Sequence, residues 1–281
     1  MVRLRIGIAY SIIDPAGRGI AGKISERLGL RCSDSGSSRA SIVCDDPMRV
    51  IGFIDDVLYL EYLDDYFPNH DAVIILSRHK AVSGIPSLTV HYTGNPGDSA
   101  LYGGRPRKLA NTMPSLGSSL LYSINMLASS SSIAGKFSVT YEATHHGPTD
   151  NRLPVVFAEI GSSEVEWISP EAQDIWARAI IETVSRRLDC SEIAVGLGGN
   201  HYPAIFTQLT TRERICFGHI IPRYVLKDLG DYDTTRIVEQ AIRSSVERIE
   251  KIYIEEKATQ SKKIRHIKDM ASRMGIEVEI L

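Results

Sequence analysis

Short apolar runs separated by amphipathic stretches are the feature that most limits how this chain can fold. Runs of strand length recur at residues 3–10, 50–54, 72–76, 87–91, 137–142, 155–160, 193–197 and 215–220, and 276–281 closes the chain. Several are continuous rather than alternating, as expected of strands covered on both faces. Helical patterns lie between them at 21–28, 115–130, 170–188, 234–249 and 260–274. The clearest start is Ser169 as cap, Pro170 at the first helical position and Glu171 near the positive helix end. Strands alternating with helices predict an α/β layer sandwich with a largely parallel or mixed sheet. With 281 residues, one domain over 1–281 is expected, with long loops near 92–113 and 145–154 and a basic C-terminal helix near 260–274. A third irregular stretch is expected at 32–47.

Composition removes several classes. Hydrophobic residues at 43% and charged residues at 23% are those of a globular chain, and no apolar run is long enough to span a bilayer. The first ten residues are too short for a secretory signal, so the cytoplasm is the expected location, with no membrane and no protein partner indicated. Cys32, Cys44, Cys190 and Cys216 lack C-x-x-C spacing, which favours unpaired thiols over a zinc knuckle or a disulfide framework. The net charge of −2 conceals an acidic stretch at 45–71 and a basic one at 251–273, and a polyanion should prefer the latter.

Histidines fall at strand ends. His79, His91, His145, His146, His201 and His219 each lie at or just past an apolar run, whereas His70 and His266 read as surface residues. In parallel strands those ends share one edge of the sheet, where α/β proteins build their sites. A lone strand-end histidine is more often a polar cap on a core strand, but six such cases together suggest a common crevice. Imidazole suits both zinc and proton transfer, and Glu142 and Glu159 end neighbouring runs as candidate bases. A zinc ion with an open position would supply hydroxide near neutral pH. No H-E-x-x-H is present, so the ligand set is open.

Two motifs carry less weight. Gly17, Gly22 and Lys23 match G-x-x-x-x-G-K, but Ile24 replaces the hydroxyl residue that would hold magnesium, so a nucleotide triphosphatase is a minor reading. There is no G-x-S-x-G to suggest a serine hydrolase. Gly196, Gly198 and Gly199 form a turn before Asn200 and His201 that serves either as an oxyanion site or only as a tight turn.

Six segments taken in order resemble a known family: Ser77-Arg78-His79, His91-Tyr92-Thr93-Gly94-Asn95, Glu142 to Thr149 with His145-His146, Glu159 to Trp167, Gly198 to Pro203 with Tyr202, and Gly218-His219-Ile220-Ile221-Pro222. They are similar to the D-aminoacyl-tRNA deacylases of archaea and plants. The resemblance implies a three-layer α/β/α fold similar to peptidyl-tRNA hydrolase and the phosphorylases. It also implies a zinc-dependent hydrolase that cleaves the ester between a D-amino acid and tRNA. The resemblance does not assign roles to single histidines; our expectation places His79, His145 and His201 at a metal, and Glu142, His146, Glu159 and His219 in catalysis, with Glu142 the leading base. Substrate contacts are expected from His91, Gly94, Asn95, Arg105, Arg107, Gly199, Asn200 and Tyr202, with the tRNA carrying a D-amino acid as partner. The rivals are a metal-dependent amidohydrolase or peptidase on a small substrate, and a non-catalytic RNA-binding module.

Overall fold

The computed structural model describes residues 4–82, 84–186 and 188–281. Arg3, expected in the first strand, and Arg187, expected in the central helix, lie outside them. The first sheet contains β1 (Ile6–Ser11), β2 (Arg31–Asp34), β3 (Ala40–Asp45), β4 (Val50–Phe53), β5 (Ala72–Lys80) and β6 (Ser87–Tyr92). A small ladder of β7 (Gly94–Asn95) and β8 (Lys108–Leu109) follows, and β9 (Ser138–Tyr141) and β10 (Val155–Ser162) complete the first sheet. Its order is β2-β3-β4-β1-β5-β10-β6-β9. A second, all-parallel sheet holds β11 (Glu192–Leu197), β12 (Ile215–Ile221), β13 (Lys251–Ile254) and β14 (Glu277–Ile280) in the order β12-β11-β13-β14.

The helices are α1 (Pro15–Leu28), α2 (Leu63–Tyr66), α3 (Pro114–Ser129), α4 (Glu164–Trp167), α5 (Pro170–Ser185), α6 (Ala204–Glu213), α7 (Arg223–Asp228), α8 (Asp231–Arg243) and α9 (Ser261–Met274). Local chemistry fixes their ends. Asp14 caps α1 by accepting from Gly17 N at 2.9 Å, Pro15 opens it, and Gly29 closes it in the left-handed region. Ser169 caps α5 as the sequence predicts. The fold is a mixed, largely parallel α/β architecture with helices on both sides. Even-numbered residues of β5, β6 and β10, such as Leu76, Val90 and Ile160, share one apolar core with α1, α3 and α5. That core continues through α6 to Phe217 of the second sheet, while α8 and α9 cover the sheet's other face around Val195, Ile252 and Ile267.

Two expectations are corrected, on residues 32–47 and on the cysteines. The stretch 32–47 is not irregular but mostly the hairpin of β2 and β3. Its register sets Cys32 opposite Cys44, and the two are bonded; Cys190 and Cys216 form a second disulfide. The thiols therefore pair, by proximity that only the folded strands create. Disulfides belong to oxidising compartments and also to intracellular proteins of hyperthermophiles, so these bonds are compatible with either setting. The Gly17–Lys23 motif lies inside α1 rather than in a loop before it, and so cannot wrap phosphates. Gly17 serves packing instead: a Cβ there would stand 2.5 Å from Leu76 O.

The basic C-terminal helix is partly turned inward. Lys263 is 3% exposed, and its ammonium donates to the carbonyls of Leu226 at 2.8 Å and Leu229, at the end of α7. This is a cation closing a helix C-terminus. Replacing it with methionine keeps the apolar stem but strands those carbonyls, so Lys263→Met should lower unfolding free energy by about 2–3 kcal/mol in urea denaturation. An unchanged midpoint would show that the cap contributes nothing.

Candidate active site

Strand alternation creates the site. On β5 and β10 the odd-numbered face begins apolar with Val73, Ile75, Val155 and Phe157 and then turns polar with Ser77, His79 and Glu159. Register carries this polar stripe sideways: Gly161 pairs with His79, Glu159 with Thr89, and Phe157 with His91. Thr89 pairs in turn with Thr140 of β9, and Glu142 N bonds Val90 O just past that strand. His79, His91, Glu142 and Glu159 thus share one face. Because β6 and β9 run antiparallel to β10, the site lies on the face of the sheet, not along one edge of parallel strand ends as the sequence suggested.

Two loops roof this face. The segment after β9 brings His145 and His146, and the turn after β11 brings His201 and Tyr202. The first is held from outside by acids: Glu61 accepts from Thr149 N at 2.9 and 2.8 Å and from Asp150 N at 2.6 Å, while Asp64 accepts from Arg152 N and Leu153 N. The acidic stretch of the sequence is therefore in part a clamp on the site loop. The second loop is fixed where Glu255 accepts from Gly199 N at 2.6 Å and from Arg223 at 2.7 Å. The chain's two tryptophans brace the strands, since the indole N–H of Trp167 donates to His79 O and that of Trp176 to Glu159 O.

Five imidazoles meet two buried carboxylates. Glu142, 1% exposed, has His79 Nδ1 at 3.2 Å, His145 Nε2 at 3.4 Å and His201 Nε2 at 3.0 Å. Glu159, 3% exposed, has His79 Nδ1 at 3.5 Å and His91 Nε2 at 3.6 Å. His146 packs against His91 and His145 with ring centroids 4.8 and 4.3 Å apart. Yet no well-aligned hydrogen bond reaches His91 Nε2 or either oxygen of Glu142. Buried polar atoms left this way are costly, and so many donors converging without mutual hydrogen bonds is the arrangement a cation would satisfy. Three sets of donor atoms fit within 4.8 Å of one another: His91, His145 and His146; His79, Glu142 and His201; and His91, Glu142 and Glu159. The expected trio of His79, His145 and His201 is thus divided between two sets.

Electrostatics divides the histidines. Burial opposes charge on His79, but the close approach of Glu159 and the charges of Glu142 and Glu159 prevail and raise it to about 9. His91 is raised by the same carboxylates against its burial. Burial, with the neighbouring imidazoles, drives His145 well down and His146 to about 4, leaving both neutral. Both carboxylates are lowered despite burial, Glu142 chiefly by His201 and Glu159 by His79 and His91. Tyr202, pushed up to about 12 by burial and the two carboxylates, keeps its proton and bonds His79 Nε2 at 2.6 Å.

Other expected residues stand elsewhere. His219 is fully buried outside the cluster: its Nε2–H donates to Ala110 O at 2.9 Å, and Nδ1 accepts from the Thr144 hydroxyl at 3.0 Å, which itself accepts from Ile220 N. Gly94 has φ 154° and lies so close to Leu109 that a Cβ would meet its side chain at 2.8 Å, so its role is backbone packing under His146 O. Asn95 donates to Gly103 O at 2.9 Å. Gly199 N is already engaged by Glu255, whereas Asn200 is exposed beside His201. Arg105 pairs with Asp150, and Arg107 with Asp98 and Asp233, on the surface away from the carboxylates. Glu61, Trp167, Trp176 and Glu255 were missed by sequence reasoning; a buried tryptophan's need for an acceptor was the one available hint.

His219 gives a pH prediction. Burial lowers it from its ordinary 6.5 to about 4, so the unfolded chain binds the extra proton between those values. Its contribution is complete above pH 6.5 and lost as pH falls toward 4, by about 3 kcal/mol. Urea denaturation at stepped pH should show a shallower acid slope for His219→Asn than for the parent; equal slopes would refute this.

Comparison with known proteins then places the chain. The family model for D-aminoacyl-tRNA deacylase matches residues 66–279. A D-aminoacyl-tRNA deacylase of Hyperthermus butylicus is 36% identical over 279 residues, covering 98% of this chain and 99% of its own length. That of Aeropyrum pernix is 37% identical over 286 residues, covering 99% and 100%, and that of Pyrococcus furiosus is 30% identical over 273, covering 94% and 96%. The crystal structure of a conserved protein of unknown function superposes with a TM-score of 0.88 at 25% identity, over 100% of this chain and 96% of the other. With its strand-face histidines and carboxylates inside the matched span, this chain belongs to the D-aminoacyl-tRNA deacylase family.

Proposed function

We infer that the protein hydrolyses the ester joining a D-amino acid to the 3′-terminal ribose of tRNA, releasing the free D-amino acid and the tRNA. One observation carries this reading: a cluster of five imidazoles over two buried carboxylates, on a chain whose relatives match it from end to end. Those relatives do not favour the small-substrate amidohydrolase. The cytoplasm is the proposed site of action; no helix among the described residues is long and apolar enough to cross a membrane.

The donor set suits zinc, which takes imidazole nitrogen and carboxylate oxygen. His79, Glu142 and His201 would hold one ion, and His91, His145 and His146 offer a second set of ligands. When bound, zinc would supply a water acidic enough to give hydroxide near neutral pH. Glu159 is the proton acceptor we favour, ahead of Glu142, because Glu142 is already approached by three histidine nitrogens. The attacking water forms a bond to the ester carbon and gives its proton to the carboxylate. Collapse of the tetrahedral intermediate then breaks the bond to the ribose oxygen, which takes that proton and departs as a tRNA hydroxyl. Tyr202 holds the His79 ring, and the exposed Asn200 amide is the proposed donor to the oxyanion. His219 keeps the Thr144 backbone beside His145 in register and touches no substrate. Chirality would be read by pocket shape, since both enantiomers offer identical groups.

Hydrolysis of matched D- and L-aminoacyl-tRNA tests the assignment. The D substrate should be cleaved and the L substrate spared; equal rates would end the reading. Glu159→Gln and Glu142→Gln should each lower kcat by roughly 10²–10⁴-fold. Glu61→Gln, which weakens the grip on Thr149 and Asp150, should cost up to about a hundredfold by displacing His145 and His146. Because His79, raised to about 9 by its carboxylates, binds a proton that a metal must displace, zinc titration in buffers of different ionisation enthalpy should show proton release. Activity indifferent to chelation, with no proton release, would remove the metal.

A further inference from the structure

Next to the cluster the surface stays open. A cavity of about 390 Å³ leads off Thr144 and His145, with Tyr224, Val225 and Leu229 on one side and the chain after Asn95 on the other. Pro96 and Leu229 also line a narrower hollow of about 70 Å³, which reaches Arg107 and Arg236. This hollow shares Arg107, Arg236 and Gln240 with a wide cleft of about 640 Å³ on the outer side of α8. The three adjoin through these shared wall residues and lie in a row leading away from the imidazoles, a segmented groove with Arg107 and its partners Asp98 and Asp233 at the divide.

The chemistry of the groove changes along its length. Near the cluster it is mainly apolar, with Tyr224 48% exposed and Asp98 and Asp228 the carboxylates on its wall. At the far end Arg105, Lys108, Arg236 and Arg243 face the cleft. Arg236, Gln240 and Arg243 stand at i, i+4 and i+7 of α8, so they form one stripe, with the arginines about 10 Å apart along the axis. Arg236 has no carboxylate partner among the described residues, and Arg243 is paired with Glu239 across an exposed contact of 2.8 Å. Exposed pairs of that kind are weak enough for a phosphate to compete with the carboxylate.

We propose that this groove seats the single-stranded 3′ end of the tRNA, with the terminal adenine against Tyr224 and the phosphates of the preceding nucleotides on Arg236 and Arg243. The inference rests on the deacylase reading, because it requires the scissile ester to stand at the histidine cluster. A single strand needs an aromatic face for an unstacked base and cations for the backbone behind it. The groove presents these in the order the ester demands, ring first and arginines farther out. An amino-acid side chain would fill the near cavity alone and would leave the arginine stripe without an occupant.

The test is steady-state kinetics with Tyr224→Ala, Tyr224→Phe and the double variant Arg236→Gln/Arg243→Gln on D-aminoacyl-tRNA and on D-aminoacyl-adenosine. Removing the ring should raise KM about tenfold or more on both substrates, and Tyr224→Phe should recover most of it. The arginine variant should raise KM for the tRNA substrate about tenfold, and the slope of log KM against log salt should fall by about one for each phosphate no longer bound. The KM increase should shrink on D-aminoacyl-adenosine, which has no upstream phosphates. Thermal melting of each variant controls for folding. If the parent protein fails to cleave D-aminoacyl-tRNA, the deacylase reading fails; if it cleaves and the variants match it, only the groove assignment fails. A Tyr224→Ala effect that depends on which D-amino acid is attached, and not on the adenosine, would overturn the proposal by giving the cavity to the side chain.

Discussion

Two carboxylates set into the face of a buried sheet are the constraint the rest of the molecule answers to. Taking a single carboxylate out of water costs several kcal/mol even after relaxation, and Glu142 and Glu159 are both nearly inaccessible. They remain ionised because imidazoles converge on them; His79 is held protonated in return and His91 is pushed in the same direction. An arrangement of that kind tolerates little slack. Besides Tyr202 on the His79 ring, its supports are directed at main-chain atoms: the tryptophan indoles hold carbonyls of the strands, and Glu61, Asp64 and Glu255 hold amides of the roofing loops.

Much of the fold was legible because apolar strand runs and capped helices are local signals. The starts of β4, β5, β6 and β10 fall where the apolar runs begin, and Ser169 and Pro170 open α5. Strand direction was not legible. Nothing in residues 87–92 or 138–141 says that they run against β10, and that reversal moves the site from an edge to a face. The hairpin of β2 and β3 was hidden for a related reason: four residues of β2 are all exposed, so no apolar pattern marks them. With the hairpin unseen, the Cys32–Cys44 bond had no basis in spacing.

Recognising the site residues went further than placing them. Five of the six strand-end histidines do gather in one cluster with both glutamates, because several polar caps falling on neighbouring strands are brought together by the sheet's register. His219 shows the limit of that argument. It occupies the same position in the pattern, but its nitrogens are spent on Ala110 and Thr144, and no sequence period distinguishes a ring turned toward a cavity from one turned toward a backbone. Arg105 and Arg107 illustrate the same limit for charge, since their carboxylate partners at Asp150, Asp98 and Asp233 are brought up by other segments.

The four residues Tyr141 to Thr144 belong to both sheets. Tyr141 ends β9, Glu142 N bonds β6, Ala143 N bonds His201 O, and Thr144 N bonds Ile220 O of β12. Glu142 is thus anchored on one layer while His201 arrives from the other, and their 3.0 Å separation measures how the two halves dock. Any breathing between the layers would be transmitted straight to that spacing. The site therefore depends on the seam between the sheets as much as on either sheet alone, and a shift there too small to break the shared core would already part His201 from Glu142.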